Sequence, residues 1–216
     1  MNPKTLDEKL NEGRQYRNTM EIRALDQGEE NGQVVEGYAT TFNEPYELYR
    51  FMWEGKPYIV MEQVDPNAFA ECDMDDVIMQ YNHEGRVFAR RSNGTLGLET
   101  DEHGLKIRAD LSGTQIGRQL YEEINGGYTT KMSFGFTISK DAHTVVEEED
   151  KTIDTRTILG IRKLYDVSAV SLPANNATEI SARSYVDGLI AELTEERRKR
   201  EEIERQKQKI RIMLDL

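Results

Sequence analysis

The chain has 216 residues, with 28 Lys and Arg against 40 Asp and Glu, a formal net charge of −12. A hydrophobic share of 37% and a charged share of 31% suit one core plus segments outside it, and the acidic balance excludes a uniformly basic nucleic-acid binder. No run approaches the roughly 18 apolar residues of a membrane span, and the opening MNPKTLDEKLNEGRQ lacks the basic and apolar regions of a secretory signal, so a soluble, unsecreted chain is expected.

Residues 1–19 are polar, with Leu6 and Leu10 as their one i, i+4 apolar pair, and read as a mobile N-terminal arm. From residue 20 to 183 the pattern changes to short β-like runs: MEIRAL, VVEGYATTF, YELYRFMW, PYIVMEQV, DVIMQY, RVFAR, TLGLET, LKIRADL, KMSFGFTI, TRTILGI and LYDVSAVSL. So many strands with few interruptions predict a barrel or a curled sheet. A single helical turn is expected around Pro66 to Ala70, capped by Asp65. The lone Cys72 excludes an internal disulfide and a cysteine zinc cage and reads as core filler. A firmer helix runs from Thr114 to Ile124, with Thr114 as N-cap, Ile116, Leu120 and Ile124 on one face, and Gly126-Gly127 as its stop.

Residues 184–216 turn helical and highly charged. Between Glu192 and Arg211 stand eight Lys or Arg and six Asp or Glu, with Glu195–Lys199, Glu196–Arg200 and Glu201–Arg205 at the i, i+4 spacing of helix-surface pairs. The segment reads as a solvated helix, either a plain charged tail or a docking arm.

Chemistry is approached by elimination. No phosphate-cradling glycine motif opens a helix, His83, His103 and His143 lack metal-ligand spacing, and no G-x-S-x-G elbow is present. A hydroxyl nucleophile served by a histidine remains. In KMSFGFTI, Met132, Phe134, Phe136 and Ile138 alternate with Ser133 and Gly135, which leaves open space beside the Ser133 hydroxyl unless that face is plain solvent surface. His83 ends an apolar run, where it either projects into a cleft as a general base or sits exposed in a turn. His103 and His143 lie in polar stretches and are expected to be solvated. In KLYDVSAVSLP, alternation places Asp166 on one face with Leu164, Ser168 and Val170; its partner would be a histidine, or Arg162 or Lys163 in an ordinary ion pair.

Taken together and in this order, VVEGYATTFN, VDPNAFAE, the tripeptide Asn82-His83-Glu84, NGTLGLETDEHGL, MSFGF and LYDVSAVSLPANNAT resemble the tailed-phage prohead (procapsid) maturation proteases, a family related to herpesvirus assemblin. The resemblance runs from about Glu21 to Thr178. It implies a mainly β fold with helices: an antiparallel barrel of the herpesvirus-protease type surrounded by helices, followed by the charged C-terminal helix. It implies a serine endopeptidase with His83 as base, Ser133 as nucleophile and Asp166 as third member, although the family often has Glu at that last position and Gly where Asn67 stands here. The implied substrate is the scaffolding segment of the major capsid protein, and the protease itself, cut inside the assembling procapsid in the host cytoplasm. A homo-oligomer is possible; no cofactor, metal, membrane or nucleic-acid partner is implied. Backbone N–H groups near Ser133, or else Arg156 or Arg162, are the candidate oxyanion donors. Two other readings use the same residues: an idle assembly protein on the same fold, and an adaptor binding capsid or nucleic acid through its tail.

Overall fold

The computed structural model describes residues 14–25, 32–171 and 176–214; the remainder of the expected N-terminal arm, residues 1–13, lies outside the described residues. In chain order the elements are β1 (Gln15–Ala24), β2 (Val34–Thr41), β3 (Tyr46–Trp53), β4 (Lys56–Val64), β5 (Ile78–Tyr81), β6 (Glu84–Arg90), β7 (Leu96–Thr100), β8 (Gly104–Asp110), α1 (Gln115–Asn125), β9 (Lys131–Glu147), β10 (Thr152–Val170) and α2 (Asn176–Leu214). The first strand opens at Gln15, so residues 15–19, read above as arm, belong to the sheet.

The hairpin of β9 and β10 organises everything else. Its strands have 17 and 19 residues, and their pairing shifts register at four places, each a local bend of the ladder. Such a strand outruns any single neighbour: the first half of β10 pairs with β4 (Thr152–Ile158 on Tyr58–Val64) and its last stretch with β5 (Asp166–Ala169 on Ile78–Tyr81), both in parallel. The path runs β3-β4-β10-β9-β1-β2-β8-β7, with β6 attached through β5. The expected closed, antiparallel barrel is therefore not formed. The end strands β3 and β7 do not pair with each other, and two of the contacts of β10 are parallel. The branching of β10 between β4 and β5 leaves the sheet open.

Alternation decides what is buried. Met132, Phe134, Phe136 and Ile138 are fully buried, and the rings of Phe134 and Phe136 stack at 4.5 Å. They join Val35, Leu105, Ile107, Val167 and Ala169 in the main core, capped by Leu120, Tyr121 and Ile124 of α1. The predicted signals of α1 operate as read: the Thr114 hydroxyl accepts from the Gly117 N–H at 3.0 Å, and Gly127 takes a φ of +74° just past the end. The segment at Pro66–Ala70 is a run of turns instead of a helix. Asp65 does accept from the Asn67 N–H, but the bonds that follow are i to i+3 and stop there. Cys72 is half-buried against the core, and burial pushes its thiol up to about 11, consistent with filler.

The C-terminal helix starts at Asn176 and is only partly solvated. Leu189, Ile190 and Leu193 pack on Tyr58, Val60 and the β3 side chains Leu48, Tyr49, Phe51 and Trp53, with the Arg197 guanidinium 5.6 Å from the Trp53 ring centre. This second cluster covers one face of the β3–β4 hairpin. Beyond it the helix is exposed and carries Arg197–Glu201 and Lys207–Glu204 pairs. A chain ending at Ser184 is expected to lose about 3 kcal/mol of unfolding free energy in urea, because three apolar side chains leave the cluster, whereas one ending at Arg200 should match the full chain within about 0.5 kcal/mol. Equal midpoints for both truncations would show that the helix adds nothing to the core.

Candidate functional site

The site forms where β9, β10 and the β5–β6 turn meet. Directly opposed residues of an antiparallel ladder share a face, and here Ser133 opposes Ser168 while Gly135 opposes Asp166. The bulge at Tyr165, between Leu164 and Asp166, makes this possible. Leu164 opposes Phe136 on the core side, so the simple alternation that put Leu164 and Asp166 on one face is broken, and Asp166 with Ser168 turns to the side of Ser133. Gly135, opposite Asp166, contributes no side chain of its own to that face.

His83 arrives from the two-residue turn joining β5 to β6. Asn82 and His83 both take positive φ, +51° and +60°, the conformation a tight hairpin turn demands and one that costs a non-glycine residue on the order of 1 kcal/mol or more. The surroundings hold it. The Asn82 N–H donates to the Ala169 carbonyl at 2.9 Å and its Oδ1 accepts from the Ser171 N–H at 3.1 Å, tying the turn to the end of β10.

The imidazole consequently lies between the other two groups. Its Nδ1 is 2.5 Å from Asp166 Oδ1 and its Nε2 is 2.5 Å from Ser133 Oγ. A carboxylate accepts, so Nδ1–H donates to Asp166 and the Ser133 hydroxyl donates to Nε2. All three side chains are closed from solvent: Ser133 and Asp166 are 0% exposed and the His83 side chain 2%. Ser133 is thus not on a solvated strand face, nor His83 in a free turn.

The structure also places groups at Asp166 that the sequence reading did not. Ser168 Oγ donates to Asp166 Oδ1 at 2.8 Å, and Arg14 Nη2 lies 3.0 Å from Oδ2, its guanidinium stacked 4.2 Å from the Tyr165 ring centre. Ser168 was visible as a same-face neighbour of Asp166. Arg14, in a segment read as arm, carried no signal. Neither cation named as an ordinary partner serves Asp166, because Arg162 is exposed and Lys163 pairs with Asp73 at 2.6 Å.

Arg156 is likewise engaged elsewhere. It lies ten residues before Asp166 in β10, fully buried, with its Nε 2.7 Å from Asp141 Oδ2 and its Nη1 3.2 Å from Glu62 Oε2. Arg17 clasps the same Glu62 through Nε at 2.5 Å and Nη2 at 2.9 Å, and the Tyr46 hydroxyl donates to it. Burial alone would push the Glu62 carboxyl up, but the two guanidiniums and their hydrogen bonds outweigh it and lower Glu62 from its ordinary 4.5 to about 2. His143, expected to be solvated, instead bonds Asp154 at 2.9 Å; that bond raises its titration above the ordinary histidine range. His103 is exposed, edge-on to Tyr38.

Against known proteins, a family model described as caudovirus prohead serine protease matches residues 18–189. The prohead protease of Enterobacteria phage HK97 is 27% identical over 157 residues, which cover 72% of this chain and 62% of that protein. No solved structure matches.

Proposed function

The chain belongs to the caudovirus prohead serine protease family, and from that premise we propose that it is a serine endopeptidase acting through Ser133, His83 and Asp166. The observation that carries the reading is the continuous chain of contacts Ser133 Oγ–His83–Asp166, with both links at 2.5 Å in a buried site. His83 Nε2 takes the hydroxyl proton as Ser133 Oγ attacks a peptide carbonyl, then delivers it to the departing amine; water releases the acyl group by the same route. Asp166 fixes the tautomer and balances the imidazolium, and Arg14 and Ser168 orient Asp166.

The oxyanion donors are assigned to backbone N–H groups at the break in the β1–β9 ladder. Register shifts there between Arg17 and Met20, directly beside Ser133, so backbone groups are released from strand pairing at the point where negative charge develops. Since Ser133 is fully buried, a substrate reaches it only on local opening. The substrate is the scaffolding segment of the major capsid protein inside the procapsid, together with the protease itself.

Intact mass analysis after incubation with the cognate capsid protein tests this. The expected result is a capsid protein shortened at its N-terminus and a shortened protease species. Unchanged masses with both assembled and unfolded capsid protein would overturn it.

A further inference from the structure

A cleft of about 510 Å³ adjoins the catalytic turn and has no part in the proton relay. Its walls are the β5–β6 hairpin on one side, through Tyr81, Glu84 and Phe88, and α1 on the other, through Ile116, Leu120 and Glu123. The size falls in the range of roughly 300–1,000 Å³ typical of ligand sites. Three features specify what fits. First, among the described residues β6 pairs with no strand but β5, and the backbone of its last residue, Arg90, is held by the Thr95 hydroxyl, so the edge available to an added strand is the stretch before Arg90 that lies beside the cleft. Second, β6 begins at the residue after His83, so a peptide laid along it leads straight to the catalytic imidazole. Third, the floor is apolar while the rim holds two carboxylates, Glu84 and Glu123, against one guanidinium, Arg86.

We infer that this cleft between the β5–β6 hairpin and α1 is the specificity subsite for an extended peptide that pairs with the edge of β6, seating an aliphatic side chain on Phe88, Ile116 and Leu120 and, two residues along on the same face of the peptide, a Lys or Arg against Glu84 and Glu123. The inference rests on the endopeptidase reading, and the strand of about 20 Å allows contact with roughly six residues.

Binding and cutting separate the two. The probes are fluorescein-labelled decapeptides in a Gly/Ser frame carrying at the centre, separated by one Gly, Leu and Lys, Leu and Glu, or Ser and Lys (the Leu-Lys, Leu-Glu and Ser-Lys peptides), titrated by fluorescence polarisation against the full chain bearing Ser133→Ala. The Leu-Lys peptide should bind at least tenfold tighter than the other two. Ile116→Arg should weaken it at least tenfold, as should Gln119→Trp, which fills the cleft from an exposed helix position and spares the core. The pair Glu84→Lys and Glu123→Lys should reverse the preference toward Leu-Glu, and Met52→Arg, on the exposed face of β3, should change nothing. No difference among the three peptides, or undiminished binding by a folded Ile116→Arg or Gln119→Trp chain, overturns the subsite. If the peptides bind as expected but the chain with Ser133 intact cuts none of them, the endopeptidase reading fails while the subsite stands; if they are cut without dependence on Ile116 or Gln119, only the subsite fails.

Discussion

Ser133→Ala is expected to reduce peptide-bond cleavage by on the order of a millionfold while leaving the fold intact. Loss of a triad nucleophile has that magnitude because the histidine and acid have no second route to the acyl intermediate. The fold should survive because the alanine retains the Cβ at a fully buried strand position, and the polar partner it abandons among the described residues is His83 Nε2. His83→Ala should cost a comparable factor, since no other described histidine approaches Ser133: His103 sits beside Tyr38 and His143 is bonded to Asp154. His103→Ala and His143→Ala therefore serve as controls that should keep full activity in a folded chain. Turnover of capsid protein by the Ser133→Ala chain within tenfold of the unsubstituted one would remove Ser133 from the mechanism, and an inactive but folded His143→Ala chain would move the base.

The largest stability effect should come from the other end of the β9–β10 hairpin. Glu62→Gln leaves Arg17 and Arg156, both buried, to share a neutral amide. Breaking a buried ion cluster by removing one member typically costs about 3–5 kcal/mol; Arg156 keeps its pair with Asp141, while Arg17 loses both contacts to the Glu62 carboxylate and stays desolvated. Urea unfolding should show that loss with an unchanged denaturant slope. The pH dependence follows the same group. Its folded-state titration lies below the unfolded 4.5, so its contribution is fully present above 4.5 and is lost as pH falls toward about 2. The unsubstituted chain should accordingly lose stability across that interval, and the Glu62→Gln chain should show a shallower acid loss there. Equal acid slopes would mean that Glu62 is not held ionised by the two arginines. Since Arg17 is three residues from Arg14, the same substitution should also loosen β1 beside Asp166.

How much of this was written in the chain itself depends on the range of the interaction concerned. Short-range signals were sufficient at the core strand and at α1, but not at Pro66–Ala70, where Asp65 accepts from the Asn67 N–H and no helix follows. The alternation of KMSFGFTI determined that Met132, Phe134, Phe136 and Ile138 form the core side of a strand, and Thr114 with Gly126-Gly127 determined the limits of α1, because side-chain period and end-capping act within a few residues. The three site residues were named from strand position and from the family resemblance, and the fold brings them within 2.5 Å contacts across 83 and 50 residues of sequence.

What depended on pairing between distant strands could not be read in that way. The bulge at Tyr165 that turns Asp166 away from Leu164, the break in β1 beside Ser133 and the arrival of Arg14 at Asp166 are all consequences of how β9 and β10 register against neighbours more than a hundred residues away or across a hairpin. The same holds for the open sheet. Eleven strand-like runs suggested closure, but closure is decided by which edges meet, and the 19-residue β10 divides itself between β4 and β5 instead of carrying one continuous ladder round to β7. The C-terminal helix makes the point in one element. Its composition determined that most of it faces water, and only the tertiary structure decided that Leu189, Ile190 and Leu193 would find bare sheet beneath them, because an apolar stripe on a helix specifies burial without specifying against what.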